Sequence, residues 1–310
     1  MMKLRMLAVV PLVAAGVLGT TAAAWPNSPT PLPQAPPALT ASALSARYAA
    51  DAQAVAGAER TAARDGDSQL AGALASLRTQ HVLFFNPNGQ GVAAMVIGNL
   101  ATATRVAILV PGSDTTLATF FSRGSSSPGG GAEALAVQAR RLDPGERLAV
   151  IAWLGYPAPA MLSPGVLTSG DASQGAQALR PLVTELAERG DQVALLCHSY
   201  GSVVCGLAAP HLPVTDIAVF GSPGMDASSV ASLHTGARVW AGREADDDVK
   251  YVPHIQLFGL GFGADPMSPG FGARIFATGD GGHSGYLDPG SVSLRNLTYI
   301  ALGDPAAGTR

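Results

Sequence analysis

The sequence predicts an α/β fold: a mostly parallel sheet with helices on both faces, preceded by an N-terminal helical segment. Two observations carry this expectation. Short apolar runs recur from residue 105 onward: RVAILV, ERLAVIAWL, DQVALLC, DIAVF, ARVWAG and ARIF. Each is continuous rather than alternating, which is the pattern of a strand buried on both faces. Between most of them lie helical patterns, at 131–142, 171–189, 202–209 and 226–233. Strands that alternate with helices are joined by crossovers and so run parallel. The chain has 310 residues, enough for one large domain of this kind with accessory segments.

Taken in order, the chain opens with MMKLRM, which supplies Lys3 and Arg5, followed by an apolar stretch from Leu7 to Leu18 and the small residues Ala22, Ala23 and Ala24. These three parts in that order predict a secretory signal peptide at 1–24. The uncharged run from Leu7 to Trp25 is also just long enough to anchor in a membrane, although Pro11, Gly16 and Gly19 weaken it as a spanning helix. Both readings put the body of the protein outside the cytoplasm, secreted or in the cell envelope. Residues 25–39, WPNSPTPLPQAPPAL, are too rich in proline for helix or central strand and read as a stiff linker. Residues 40–80 are rich in alanine, with Leu70, Leu74 and Leu77 at helical spacing, and predict one or two helices broken near Gly66. The main domain is expected over 81–310, beginning with a hairpin around Asn88-Gly89.

Composition excludes several classes of function. Charged residues make up 13% of the chain and the net charge is −3, with no basic cluster to neutralise phosphates, so no nucleic acid is expected. A neutral or apolar small molecule, or a lipid ester, fits better. Gly129-Gly130-Gly131 lacks the Lys-Ser/Thr of a phosphate-binding loop. No metal-ligand spacing occurs, and neither metal nor cofactor is expected. Two cysteines, Cys197 and Cys205, cannot make a four-ligand zinc site. A bond between them is possible, but they read first as two buried small apolar side chains.

The stretch LLCHSYGS, 195–202, is where chemistry concentrates. A buried strand ends here and a helix begins, with Ser199 on the turn. A serine on so sharp a turn needs a small residue two positions later, and Gly201 supplies it. The position two before the serine is Cys197, where the usual G-x-S-x-G pattern has glycine; cysteine is larger but still small. A bland alternative is a serine that merely caps the helix. A serine hydroxyl attacks only with a histidine base, itself oriented by a carboxylate. The histidines that follow are His211, His234, His254 and His283. His283 lies in a glycine-rich loop directly after the last strand and is the best placed. For the acid, Asp246, Asp247 and Asp248 follow the ARVWAG strand, with Glu244 nearby; Asp226 reads as a helix cap and Asp265 as the start of a turn. Two backbone donors are needed for a developing oxyanion: the amide of Tyr200, and that of Ser113 or Asp114 in the loop after RVAILV.

These motifs together resemble the α/β-hydrolases, and more closely a little-characterised bacterial branch of exported serine hydrolases. The resemblance rests on PGSDTT (111–116), HSYGS (198–202), VFGSPG (219–224), DPMSPGFGARIF (265–276) and HSGYLDPGSVSLRNL (283–297), and covers about residues 80–302. It implies the chain order nucleophile, acid, histidine, hence Ser199, one of the acids after ARVWAG, and His283. In this branch the acid is expected just before a Pro-Val or Pro-Ile pair; Asp247-Asp248-Val249 matches with Asp248 replacing the proline, which points to Asp247. The activity implied is cleavage of an acyl bond, a carboxylic ester first, through an acyl-enzyme. The alternatives are a thioesterase, amidase or acyltransferase with the same residues, or a non-catalytic envelope or binding protein on a hydrolase scaffold.

Overall fold

A computed structural model describes residues 39–252 and 260–304. The signal peptide expected at 1–24, all of the proline linker but Leu39, and His254 lie outside the described residues.

Two helices lead. Helix α1 (Ala41–Arg64) starts at Thr40, whose hydroxyl accepts the Ala43 amide, and α2 (Ser68–Leu77) starts at Asp67, whose carboxylate accepts the Leu70 amide. Gly66 turns the chain between them at a φ of +78°, a conformation glycine adopts without strain. Strands β1 (His81–Asn86) and β2 (Val92–Ile97) form the expected antiparallel hairpin about 87–91. The alternating part follows: β3 (Arg105–Val110), α3 (Pro128–Leu142), β4 (Leu148–Leu154), α4 (Gly170–Glu188), β5 (Gln192–His198), α5 (Gly201–Ala208), β6 (Asp216–Phe220), β7 (Arg238–Gly242), β8 (Arg274–Ile275) and α6 (Val292–Ala301).

The eight described strands form one sheet in the order β1-β2-β4-β3-β5-β6-β7-β8, parallel from β4 to β8. Alternate residues of each strand feed two cores. On β5, Val193, Leu195 and Cys197 face α4 and α5, whereas Leu196 faces the side of α3 and α6. That two-sided burial is why the strands read as unbroken apolar runs. The order also positions the site. From β3 the chain passes to β4 on one side, while β5 lies on the other and leads away to β6. Connections therefore diverge at the carboxyl ends of β3 and β5, the crevice where ligands bind in open α/β sheets.

Two expectations are corrected. No α-helix forms over 226–233; only a 3-10 turn at Ala231–Leu233 does. Asp226 adopts a φ of +55°, outside the extended region a helix cap needs, and its amide donates to Phe262 O at 2.8 Å, tying the segment to residues 262–264. The cysteines are not two separate thiols: Cys197 and Cys205 form a disulfide. Cys197 projects from β5 toward α5, and Cys205 sits on the face of α5 that packs on that strand, with Cα atoms 6.5 Å apart. The bond brackets Ser199 from both sides. Chain-entropy arguments give a loop this short about 2–3 kcal/mol of stabilisation. The double variant Cys197→Ala/Cys205→Ala is thus expected to melt about 5–10 °C below the parent in calorimetry; an unchanged Tm would show that the bond adds nothing to the folded state.

Candidate active site

Ser199 sits between β5 and α5 with a φ of +51°. A non-glycine residue held in the left-handed region is strained and persists only where its surroundings enforce it. Here they do. The Ser199 amide donates to Phe220 O on β6 at 3.0 Å, and the Ser199 carbonyl accepts from Ser202 N at 2.9 Å. The strain turns the side chain outward, off the end of the sheet. Gly201 is required for contact rather than for torsion: a Cβ there would lie 2.5 Å from Val110 O and 2.6 Å from Pro111 O.

His283 stands over Ser199. Its Nε2 accepts from Ser199 Oγ at 2.9 Å, and its Nδ1 donates to Asp247 Oδ1 at 2.9 Å and Oδ2 at 3.1 Å. Of the three adjacent aspartates, Asp246 and Asp248 point to solvent, while Asp247 is fully buried and closes on the ring. Burial by itself raises the Asp247 carboxyl. Hydrogen bonds from His283, from Tyr286 Oη at 2.6 Å and from Val249 N at 2.8 Å outweigh burial and hold the group at about 2, so it is a carboxylate at neutral pH. Gly221 passes beneath: a Cβ there would stand 3.1 Å from Asp247 Oδ2 and 3.2 Å from His283 Cε1.

The β3 loop closes the other side of Ser199. A Cβ on Gly112 would be 2.7 Å from Ser199 Cβ. Tyr156 Oη donates to Pro111 O at 2.8 Å, Asp114 N donates to Pro159 O at 3.0 Å, and Met161 N donates to Asp114 Oδ1 at 2.9 Å, so the loop is pinned by the segment after β4. Of the two amides expected from this loop, that of Asp114 is therefore spent. The amides of Ser113 and Tyr200 donate to no backbone carbonyl among the described residues. The side chain of Tyr200 is anchored away from the site, donating to Thr168 O at 2.6 Å. A pocket opens over Ser199 and His283, lined by Ser113, Thr115 and Ser126 and by Leu109, Phe220 and Leu287.

The other candidates lie elsewhere. His211 and His234 are exposed. Asp265 does begin a turn, accepting from Met267 N, and it pairs with Arg243. Glu244 is buried behind the site, where its amide donates to Tyr286 Oη and its Oε1 accepts from Ser293 Oγ. Sequence reasoning passed over two residues that touch the site. Tyr286 lies in the quoted HSGYLD stretch, and His198 precedes the serine. The His198 ring donates from Nε2 to His283 O at 2.8 Å and packs at a tilt against the rings of Phe220 and Tyr286. Burial, with the neighbouring His283 ring, lowers it to about 4. A histidine kept neutral in the fold but free to protonate at about 6.5 when unfolded contributes stability that is whole above that value and is lost as pH falls toward 4. The Tm is expected to drop between pH 6.5 and 4. His198→Gln, which keeps a donor and cannot titrate, should flatten that drop; an equal slope in both proteins would refute this role.

A serine, a histidine and a buried carboxylate in hydrogen-bonded series at the carboxyl edge of a mostly parallel sheet are the features of a hydrolase scaffold. Residues 86–257 match a family model described as alpha/beta hydrolase, and the chain belongs to that family. An uncharacterised protein of Mycobacterium tuberculosis (strain H37Rv) is 35% identical over 249 residues, a match covering 69% of this chain and 37% of the relative. One from Mycobacterium bovis is 33% identical over 156 residues, covering 46% of this chain and 56% of the relative. The chain thus spans well under two thirds of the length of the curated relatives it matches. Among solved structures, esterase PE8 aligns at a TM-score of 0.44 with 15% identity, over 68% of this chain and 98% of the esterase.

Proposed function

We propose that this protein is an exported serine hydrolase that cleaves a carboxylic ester through a Ser199–His283–Asp247 triad. The observation that carries the reading is the unbroken series of hydrogen bonds from Ser199 Oγ to His283 Nε2 and from His283 Nδ1 to Asp247, each at 2.9 Å. Ser199 Oγ attacks the ester carbonyl while His283 Nε2 takes its proton. Negative charge on the carbonyl oxygen is met by the amides of Tyr200 and Ser113. His283 then protonates the leaving alcohol, and an acyl-Ser199 remains. Water attacks that acyl group, His283 takes the water's proton, and Ser199 regains it as the acid departs. Asp247 keeps the proton of the imidazole on Nδ1 and stabilises the imidazolium. No step calls on a cofactor.

Export is supported by the tripartite N-terminal pattern and by the Cys197–Cys205 bond, since structural disulfides persist mainly in oxidising compartments. N-terminal sequencing of the secreted protein should find a start near Trp25; an intact Met1 would argue for anchorage. The partner proposed is a small-molecule or lipid ester, with no nucleic acid. The test of the chemistry is a panel of p-nitrophenyl esters from acetate to palmitate. A burst equal to the enzyme concentration, followed by a slower steady state, is expected with the best of them. Turnover of thioesters or amides in preference to every ester would move the reading to those substrates.

A further inference from the structure

We propose that Tyr286 is a positioning residue of this site: its hydroxyl locks the Asp247 carboxylate in the orientation that serves His283. The proposal rests on the hydrolase reading for its kinetic consequences and on geometry for its substance.

A phenol has one proton to give. The Glu244 amide can only donate, and it donates to Tyr286 Oη at 3.0 Å. The phenol proton is then directed at Asp247 Oδ2, 2.6 Å away. Asp247 is left with no rotational freedom. Oδ1 accepts from Val249 N and from His283 Nδ1, and Oδ2 accepts from Tyr286. The tyrosine bond is the shortest of these. Without it, one carboxylate oxygen in a buried site would retain only the 3.1 Å contact to the imidazole.

Tyr286 is itself held at its other end. Its carbonyl accepts from Ser293 Oγ, at the start of α6, at 2.5 Å. Ser293 Oγ also lies 3.1 Å from Glu244 Oε1. The one serine proton is shared between the Tyr286 carbonyl and the Glu244 carboxylate oxygen, so Ser293 donates to both. Burial raises the Glu244 carboxyl above its ordinary range, the Ser293 hydrogen bond opposes that rise, and the nearby charges of Asp247 and Asp288 add to it. One buried network thus ties β7, the His283 loop and α6 together, with Tyr286 at its centre. The titratable groups facing Tyr286 are Asp247, Glu244 and His198. Its ring packs on Phe220 and His198 with centroids 5.3 and 5.8 Å away. Tyr286→Phe keeps that packing and removes only the hydroxyl.

The experiment compares Tyr286→Phe with the parent, each counted by fluorophosphonate titration so that rates refer to competent sites. The expected result is a fall in kcat of about tenfold, the rate equivalent of one hydrogen bond to a charged group, with KM within about twofold. The acid limb of the kcat/KM profile should also move to higher pH, because a carboxylate relieved of the phenol attracts the imidazolium more strongly. A merely structural tyrosine would lower Tm or the labelled fraction and leave kcat per site and the limb unmoved; that result overturns the proposal. A second reading needs no turnover. The low-field Nδ1–H proton of His283, assigned by its loss in His283→Ala, should be displaced or exchange-broadened in Tyr286→Phe, and an unchanged resonance overturns the proposal even if the protein hydrolyses nothing. Failure of the parent to label or turn over any ester, with the resonance displaced, would sink the hydrolase reading and leave the positioning role standing.

Discussion

Asp247→Asn is expected to lower kcat for ester hydrolysis by about 10⁴, the scale seen when the orienting acid of such a triad is made an amide. The surroundings of Asp247 say why an isosteric amide cannot substitute. Val249 N and His283 Nδ1 both donate to Oδ1, and Tyr286 donates to Oδ2. The site offers donors on every side, so a carboxylate satisfies all of them and an amide NH₂ must face one. Placed at Oδ1 it meets the Val249 amide; placed at Oδ2 it meets a phenol whose oxygen already accepts from Glu244 N. Relief comes most readily if the imidazole changes tautomer, which puts its proton on Nε2 and leaves Ser199 without a base. Steady-state kinetics on the best ester of the panel, with active sites counted, makes the check. A loss of less than about tenfold would mean that Asp247 neither orients nor stabilises His283. The substitution should also remove a component of acid lability. Asp247 is held near 2 in the fold and near 3.8 when unfolded, so its contribution is present above about 4 and is lost as pH falls toward 2.

Gly201→Val is expected to abolish both folding and activity. The backbone carbonyls of Val110 and Pro111 lie 2.5 and 2.6 Å from where its Cβ would be, closer than any real Cβ contact. Neither can yield. Val110 ends β3, where it pairs with Cys197 of β5, and the carbonyl of the following Pro111 is fixed by Tyr156. Pushing that loop away would also carry Gly112 and Ser113 off Ser199, removing one amide donor. Gly201→Ala carries the same Cβ and should show the effect in milder form, as a lower Tm and kcat. Circular dichroism and yield of soluble protein read the first effect. A folded, active Gly201→Val would mean that the β3 loop is not seated as described.

Much of the fold was legible because its signals are local. Continuous apolar runs bounded by Gly, Pro and Asp mark strands buried on two faces, and Asn88-Gly89 marks the hairpin. Gly66, between two alanine-rich runs, marks the break of the N-terminal helices. What failed depends on distant partners. DASSVASL carries a good cap and helical spacing, yet its backbone is committed to Phe262 and Gly263, far along the chain. The disulfide is a meeting of strand and helix faces that two small apolar-looking residues do not announce. At the site, residue type alone could not separate Asp246, Asp247 and Asp248. Only the alternation of exposure along that turn does, and family resemblance supplied the choice where local physics could not. Tyr286 and His198 stood in plain view in HSGYLD and HSYG. Their parts come from contacts of 39 and 85 residues' separation, which no local pattern encodes.

The central claim is that Ser199 is an activated nucleophile, and labelling with a fluorophosphonate probe tests it most directly. The protein lacking residues 1–24 would be treated beside Ser199→Ala, and the modified peptide mapped by mass spectrometry. The account predicts one adduct per chain, on Ser199, and none on the variant. A folded parent that takes up no probe, or takes it up on another residue, would contradict it.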